Sequence, residues 1–244
     1  MRADLRFAHE LADAADAVTL ARFRALDLQV TTKPDLTPVS EADRAAEEAV
    51  RALVATRRHG ESVYGEELGD DGGAVRWIVD PIDGTRSYVR GIPVWATLLA
   101  LERDGVVEVA VASAPALGRR WWAERGGGAF ADGTACRVSS VTRLEDAVIS
   151  TTSARDMPSG WSTLAAGAWA TRGFADFWQY CLVAEGSVDV ASDEQLALWD
   201  YAAVGLLVDE AGGRCSTFDG TPPAHGSSFV ATNGLLPRAV VDTL

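Results

Sequence analysis

The chain has 244 residues, 22 Lys plus Arg against 35 Asp plus Glu, a formal net charge of −13 and a hydrophobic fraction of 48%. Such a hydrophobic content supports a packed core and excludes a disordered chain. The acidic balance argues against nucleic-acid binding through a broad basic face, since the dense basic spots are only Arg57-Arg58 and Arg119-Arg120.

Leu5, Ala8, Leu11, Ala12, Ala15 and Val18 recur at helical spacing and predict a first helix over residues 4–26. Its start carries Arg2, Asp4, Arg6, His9 and Glu10 with no secretory apolar stretch, which predicts a cytoplasmic protein. After a Pro-bearing loop at 33–38, Ser40 with Asp43 three residues on forms an N-cap and capping-box pair that opens a polar-Ala helix to Arg57. Residues 62–64 and 77–79 read as strands, and 96–101 with 106–112 as a hairpin around Asp104-Gly105. The longest apolar run, 92–101, contains Pro93 and Thr97 and is far short of the ~18 residues of a membrane span. Further short strands are predicted at 120–124, 129–130 and 136–138. From Val148 the pattern alternates: strand 148–151, helix 177–185 stopped at Gly186, strand 188–191, helix 200–211 stopped at Gly212-Gly213. No repeat or long linker intervenes, so one compact unit of two subdomains is expected, 1–140 and 141–244, with a cleft between them.

The most informative stretch is Trp77-Ile78-Val79-Asp80-Pro81-Ile82-Asp83-Gly84-Thr85. An apolar strand delivers two carboxylates into a turn, where they repel each other unless a divalent cation lies between them. The same residues also suit a plain turn whose Asp side chains cap backbone amides. Gly65-Glu66-Glu67 ends another predicted strand, and Asp200 opens a predicted helix. Singly, Glu66 reads as a solvated loop acid and Asp200 as an N-cap. Cys136, Cys181 and Cys215 are far apart and His9, His59 and His225 isolated, so reduced thiols are expected and any metal has to be held by oxygen.

In this order, Gly-Glu-Glu at 65–67, the Asp80 to Thr85 motif, Trp199-Asp200 before Ala202-Ala203, and Glu210-Ala211-Gly212-Gly213 together resemble the inositol monophosphatase family across nearly the whole chain. Segments 32–39, 89–96 and 113–122 are most similar to the branch of actinobacterial type that acts on histidinol phosphate. The resemblance implies an α/β (α+β) fold of layered αβαβα sugar-phosphatase type, a Mg2+-dependent phosphomonoesterase and a homodimer. The expected substrate is L-histidinol phosphate, in histidine biosynthesis, with an inositol monophosphatase of the same mechanism as the alternative. A silent scaffold keeping the fold is disfavoured, since it would have no need of the whole acidic set.

Position by position, the resemblance implies that Glu66, Asp80, Asp83 and Asp200, with the Ile82 carbonyl, bind two or three Mg2+ ions. Asp43 and Thr85 match the pair that orients a metal-activated water, and Glu66 completes the catalytic set. The Gly84 and Thr85 backbone amides would bind phosphate. Where cyclitol phosphatases carry small residues, this chain has Phe174-Ala175-Asp176-Phe177. Asp176 therefore reads either as a contact to the substrate's ammonium or as an N-cap of the helix it precedes. Asp193 matches an acid that meets the substrate's alcohol part, with a loop acid as its other reading.

Overall fold

The computed structural model describes residues 2–34 and 36–236; Asp35, within the 32–39 segment, lies outside them. Helix α1 (Ala3–Arg22) leads through the hairpin of β1 (Val30–Thr32) and β2 (Pro38–Ser40) into α2 (Glu41–Arg57). Then come β3 (Ser62–Gly65), β4 (Gly69–Asp70), β5 (Val75–Asp83) and the short α3 (Thr85–Val89). β6 (Ala96–Arg103), β7 (Val106–Ala114), β8 (Arg119–Glu124), β9 (Gly128–Ala131) and β10 (Thr134–Ala135) form a meander. The remaining elements are β11 (Val148–Ser150), α4 (Gly160–Gly167), β12 (Ala170–Arg172), α5 (Asp176–Ala184), β13 (Val190–Leu196), α6 (Leu198–Glu210), β14 (Arg214–Ser216) and β15 (Ser227–Thr232).

One sheet has eight strands in the order β10-β9-β8-β7-β6-β5-β3-β4, and another has five in the order β12-β11-β13-β15-β14. In β5 and β6 the side chains alternate between two cores. Trp77, Val79, Leu99 and Leu101 pack with Leu11 and Ala15 of α1 and Val50 of α2. Ile78, Leu98 and Ala100 pack with Phe177 and Cys181 of α5 and with Val204 and Leu207 of α6. Helices cover both faces of the central strands, so these strands read as unbroken apolar runs. Across the small sheet, Ile149, Val190 and Val230 turn away from α5 and α6 toward Trp161 and Leu164 of α4. The layers are therefore α1 and α2, large sheet, α5 and α6, small sheet, α4, which is the αβαβα arrangement.

The hairpin turn falls where expected, with Asp104 at φ 49 and Gly105 at φ 81, the left-handed pair that matches strand twist. Helix α1 is shorter than the predicted 4–26. Phe23 leaves it in extended conformation to pack against Tyr88 and Trp95, and Arg24 takes φ 62. The strand predicted at 136–138 is absent: Cys136 N still reaches Ala129 O, but Val138 N turns to Ala211 O at the end of α6. Both arginine pairs are engaged internally, Arg57 with Glu10, Arg58 with Asp4 and Glu61, Arg119 with Asp132 and Glu185, and Arg120 with Asp13 and Asp16. No described helix is long and apolar enough to cross a membrane.

Candidate active site

β5 stays apolar through Val79 and then delivers Asp80. Its ladder with β6 slips at this point, Asp80 facing Leu98 and Asp83 facing Ala96, so one extra residue bulges from β5 and re-aims the side chains. Thr97 Oγ1 donates to the Pro81 carbonyl at 2.8 Å, and Ile82 N donates to Asp80 Oδ1 at 2.9 Å. Gly84 then caps α3 at φ 85. A Cβ there would lie 3.0 Å from Val94 O and 3.1 Å from Asp176 Oδ2, so both the backbone and the space demand glycine.

Asp200 reaches the same place from α6. It sits in the first helical turn and its Oδ2 accepts from Ala197 N at 2.6 Å, reaching back to the capping residue instead of being it. Asp80, Asp83 and Asp200 each place a carboxylate oxygen within 4.8 Å of the others. Burial, followed by the charges of Glu66, Asp83 and Asp200, pushes Asp80 well above the usual carboxylate range. Burial and the charges of Asp176 and Asp200 do the same to Asp83. Asp200 rises to about 7, chiefly by burial and against the opposing Ala197 bond. A set of hard oxygen donors, Asp80 buried and Asp83 and Asp200 partly so, with surplus negative charge fits a divalent cation.

Glu66, also raised by burial, is within hydrogen-bonding reach of Asp80 and is held by Lys33, whose Nζ lies 2.6 Å from Glu66 Oε1 and 2.5 Å from Glu67 Oε1. Burial lowers the Lys33 pKa, but its bonds to Glu66 and Glu67 outweigh that and leave it raised. The turn bearing Glu66 is fixed from α2. Fully buried Glu47 accepts from Glu67 N at 2.8 Å and Leu68 N at 3.2 Å, and Arg51 Nε binds it at 2.9 Å. A Cβ on Gly65 would come 2.0 Å from Glu47 Oε1, which accounts for the glycine before the two glutamates.

Asp43 is buried in the predicted capping box of α2. Its Oδ2 accepts from Ser40 N at 2.9 Å and Ser40 Oγ at 2.6 Å, and its Oδ1 faces Thr85 Oγ1 at 3.3 Å. The Thr85 hydroxyl also lies 2.9 Å from the Ile82 carbonyl, so its single proton has two acceptors to choose between. Burial lifts Asp43 to about 6 against the Ser40 bonds, with Glu67 and Glu66 adding to the rise.

Asp176 is the first residue of α5, Ala175 is the N-cap, and no side chain of the described residues caps the helix. Among the described residues no donor reaches the Asp176 carboxylate, which burial and the Asp193 charge raise to about 6 while Arg86 pulls it down. The next amide, Phe177 N, donates to Asp83 Oδ2 at 2.6 Å. Asp193 differs from the expectation of a substrate contact. It is buried, Oδ1 accepting from Thr152 N and Thr151 Oγ1, and Oδ2 from Gln179 Nε2, Tyr180 Oη and Thr152 Oγ1. An acid so fully bonded inside the fold has no oxygen free for a ligand.

Lys33, Glu47, Thr152 and Gln179 surround the site without having been given a role by their sequence context, and Glu67 was legible only as the second glutamate of the 65–67 motif. Lys33 is the single lysine among 22 basic residues.

The chain is 50% identical to the histidinol-phosphatase of Mycobacterium tuberculosis, over 99% of its own length and 97% of that protein. Its identity to the inositol-1-monophosphatase of Rhizobium meliloti is 35%, over 89% of this chain and 86% of that one. The fold superposes on an IMPase of Thermotoga maritima with a TM-score of 0.91 at 29% identity, covering 99% of this chain and 96% of that one. The sequence pattern of the inositol monophosphatase family matches residues 1–240, and the chain belongs to that family.

Proposed function

We propose that the chain is a Mg2+-dependent phosphomonoesterase that hydrolyses L-histidinol phosphate to L-histidinol and phosphate, in histidine biosynthesis. The observation that carries this is the gradient of identity, 50% to a histidinol-phosphatase against 35% to an inositol-1-monophosphatase. Glu66, Asp80, Asp83, Asp200 and the Ile82 carbonyl would hold two or three cations. Bound Mg2+ supplies Lewis-acid charge to the phosphoryl group and eases the deprotonation of water. Thr85 Oγ1, backed by Asp43, orients the attacking water with Glu66 completing the set. The water oxygen bonds to phosphorus as the bond to the histidinol oxygen breaks, and that oxygen takes up the proton the water gives up. The Gly84 and Thr85 amides, which open a helix and lack intrahelical acceptors, donate to phosphate oxygens.

Histidinol phosphate carries an ammonium where a cyclitol phosphate carries hydroxyls. The Asp176 carboxylate, which no donor reaches among the described residues, takes that ammonium, and Asp193 serves the same end through the groups it binds. A charge-assisted hydrogen bond of this kind contributes about 1.5–3 kcal/mol, or roughly 10- to 100-fold in preference. Phosphate release is the test: kcat/KM for histidinol phosphate should exceed that for myo-inositol 1-phosphate, and Asp176→Ala should collapse the ratio. Equal or reversed preference in the unaltered protein would favour the inositol monophosphatase reading. The subdomains 1–140 and 141–244, a homodimeric state and a cytoplasmic location belong to the same proposal; sedimentation tests the dimer.

A further inference from the structure

Two successive L-residues, Ala175 at φ 65 and Asp176 at φ 47, take left-handed backbone conformations just where α5 begins. Conformations of this kind persist only when their surroundings impose them, and they concentrate at functional sites. Three hydrogen bonds hold this segment. Phe174 N donates to Ser150 Oγ at 3.3 Å, Asp176 N to Thr152 Oγ1 at 2.9 Å and Phe177 N to Asp83 Oδ2 at 2.6 Å. The middle bond falls on the strained residue itself.

The Thr152 hydroxyl has a fixed polarity. Its one proton goes to Asp193 Oδ2 at 3.0 Å, so its lone pairs face Asp176 N and, at 3.4 Å, Gln179 Nε2. Buried Asp193 is in turn clamped by Gln179 and Tyr180, each at 2.6 Å. Released from this network, an Asp at a helix start turns its side chain back onto the free amides of the first turn. Here it does not, and Asp176 Oδ2 points over Gly84 instead.

We propose that Thr152 is a specificity-determining positioning residue, whose hydroxyl, oriented by Asp193, holds Ala175 and Asp176 strained so that the Asp176 carboxylate faces the substrate's ammonium instead of capping α5. This rests on the assignment of that ammonium to Asp176. Thr152→Val keeps the shape and removes the acceptor; Thr152→Ser keeps the acceptor. The measurement is the ratio of kcat/KM for histidinol phosphate to that for glycerol 2-phosphate, an ester without an ammonium. T152V should lower the ratio about tenfold, through KM for histidinol phosphate, the scale of a displaced positioning contact. T152S should stay within about twofold of the unaltered protein, and adding T152V to D176A should lower the ratio no further. Should T152V fail to fold, Thr152→Ala carries the same expectation. A ratio unchanged in T152V, or equal losses on both substrates without rescue by serine, would overturn the role of Thr152 alone. An unaltered protein without preference for histidinol phosphate would overturn the functional reading, and this inference with it.

Discussion

Lys33 Nζ lies 2.6 Å from Glu66 Oε1 and 2.5 Å from Glu67 Oε1, so the single lysine of the chain supplies a cation at the edge of the acidic site. Its ammonium offsets charge that a divalent ion would otherwise have to neutralise alone. The same contact makes Lys33 a competitor for Glu66.

Removing that cation should separate the two effects. Lys33→Met leaves partly buried Glu66 and Glu67 unpaired and should lower the stability of metal-free protein by about 1–3 kcal/mol, the cost of stranding such groups. The Tm increase given by saturating Mg2+ should then be larger in the variant than in the unaltered protein. Equal increases by scanning fluorimetry would show that Lys33 and the ion do not share Glu66.

Stability should fall with rising pH in the absence of metal. Asp43 and Asp176 are raised to about 6 and Asp200 to about 7, from the ordinary aspartate value of 3.8, so the native state holds protons that the unfolded chain has lost. Raised carboxyls stabilise below the unfolded pKa, and that contribution disappears as pH climbs through the native values. In chelator-treated protein Tm should therefore decline from about pH 4 to above pH 7, and Mg2+, which binds the ionised form, should flatten the decline. A Tm of metal-free protein that rises across this window would contradict the crowding of the acids.

Asp80→Asn and Asp83→Asn should abolish hydrolysis while stabilising the metal-free fold. Asparagine retains an acceptor for Ile82 N or Phe177 N, yet is neutral without taking up the proton that burial and repulsion force on these acids in the metal-free fold. Ligand binding to the native state alone raises Tm, so these variants should also lose the Mg2+-dependent increase. A variant with normal Mg2+ stabilisation would exclude its residue from the cation site.

Thr85→Ala should lower kcat by about 10²–10⁴, the reach of a positioned proton-handling group. The Mg2+ concentration for half-maximal stabilisation should barely move. Asp43→Asn should have a similar effect, and the double variant should lose much less than the product of the two single losses, because the 3.3 Å pair acts as a unit. Multiplicative losses in steady-state kinetics would mean that the two residues act independently.

What the sequence discloses here depends on how local each cause is. The Ser40 and Asp43 capping box spans three residues and is readable from them, but the approach of Asp43 to Thr85 requires α2 to lie across the end of β5. Asp176 has two readings in one dimension, cap or recognition; its backbone angle is imposed partly by Thr152, 24 positions away. Asp193 keeps the spacing of a ligand-contacting acid, yet its oxygens are used by Thr151, Thr152, Gln179 and Tyr180. β1 is exposed along its whole length, so it carries no burial alternation for periodicity to detect.

Helix α6 lies between two sheets, and it alone brings Asp200 to the acids of β5. Any species in which α6 has not docked lacks the complete triad and has little reason to retain a divalent ion. Capacity for the cation should therefore emerge late, as the two sheets close on α6. An ion that binds only after the rate-limiting barrier slows escape from the native state without hastening arrival there. Mg2+ should accordingly lengthen the unfolding half-life and leave the refolding rate nearly untouched, making the ion a kinetic lock on a finished chain.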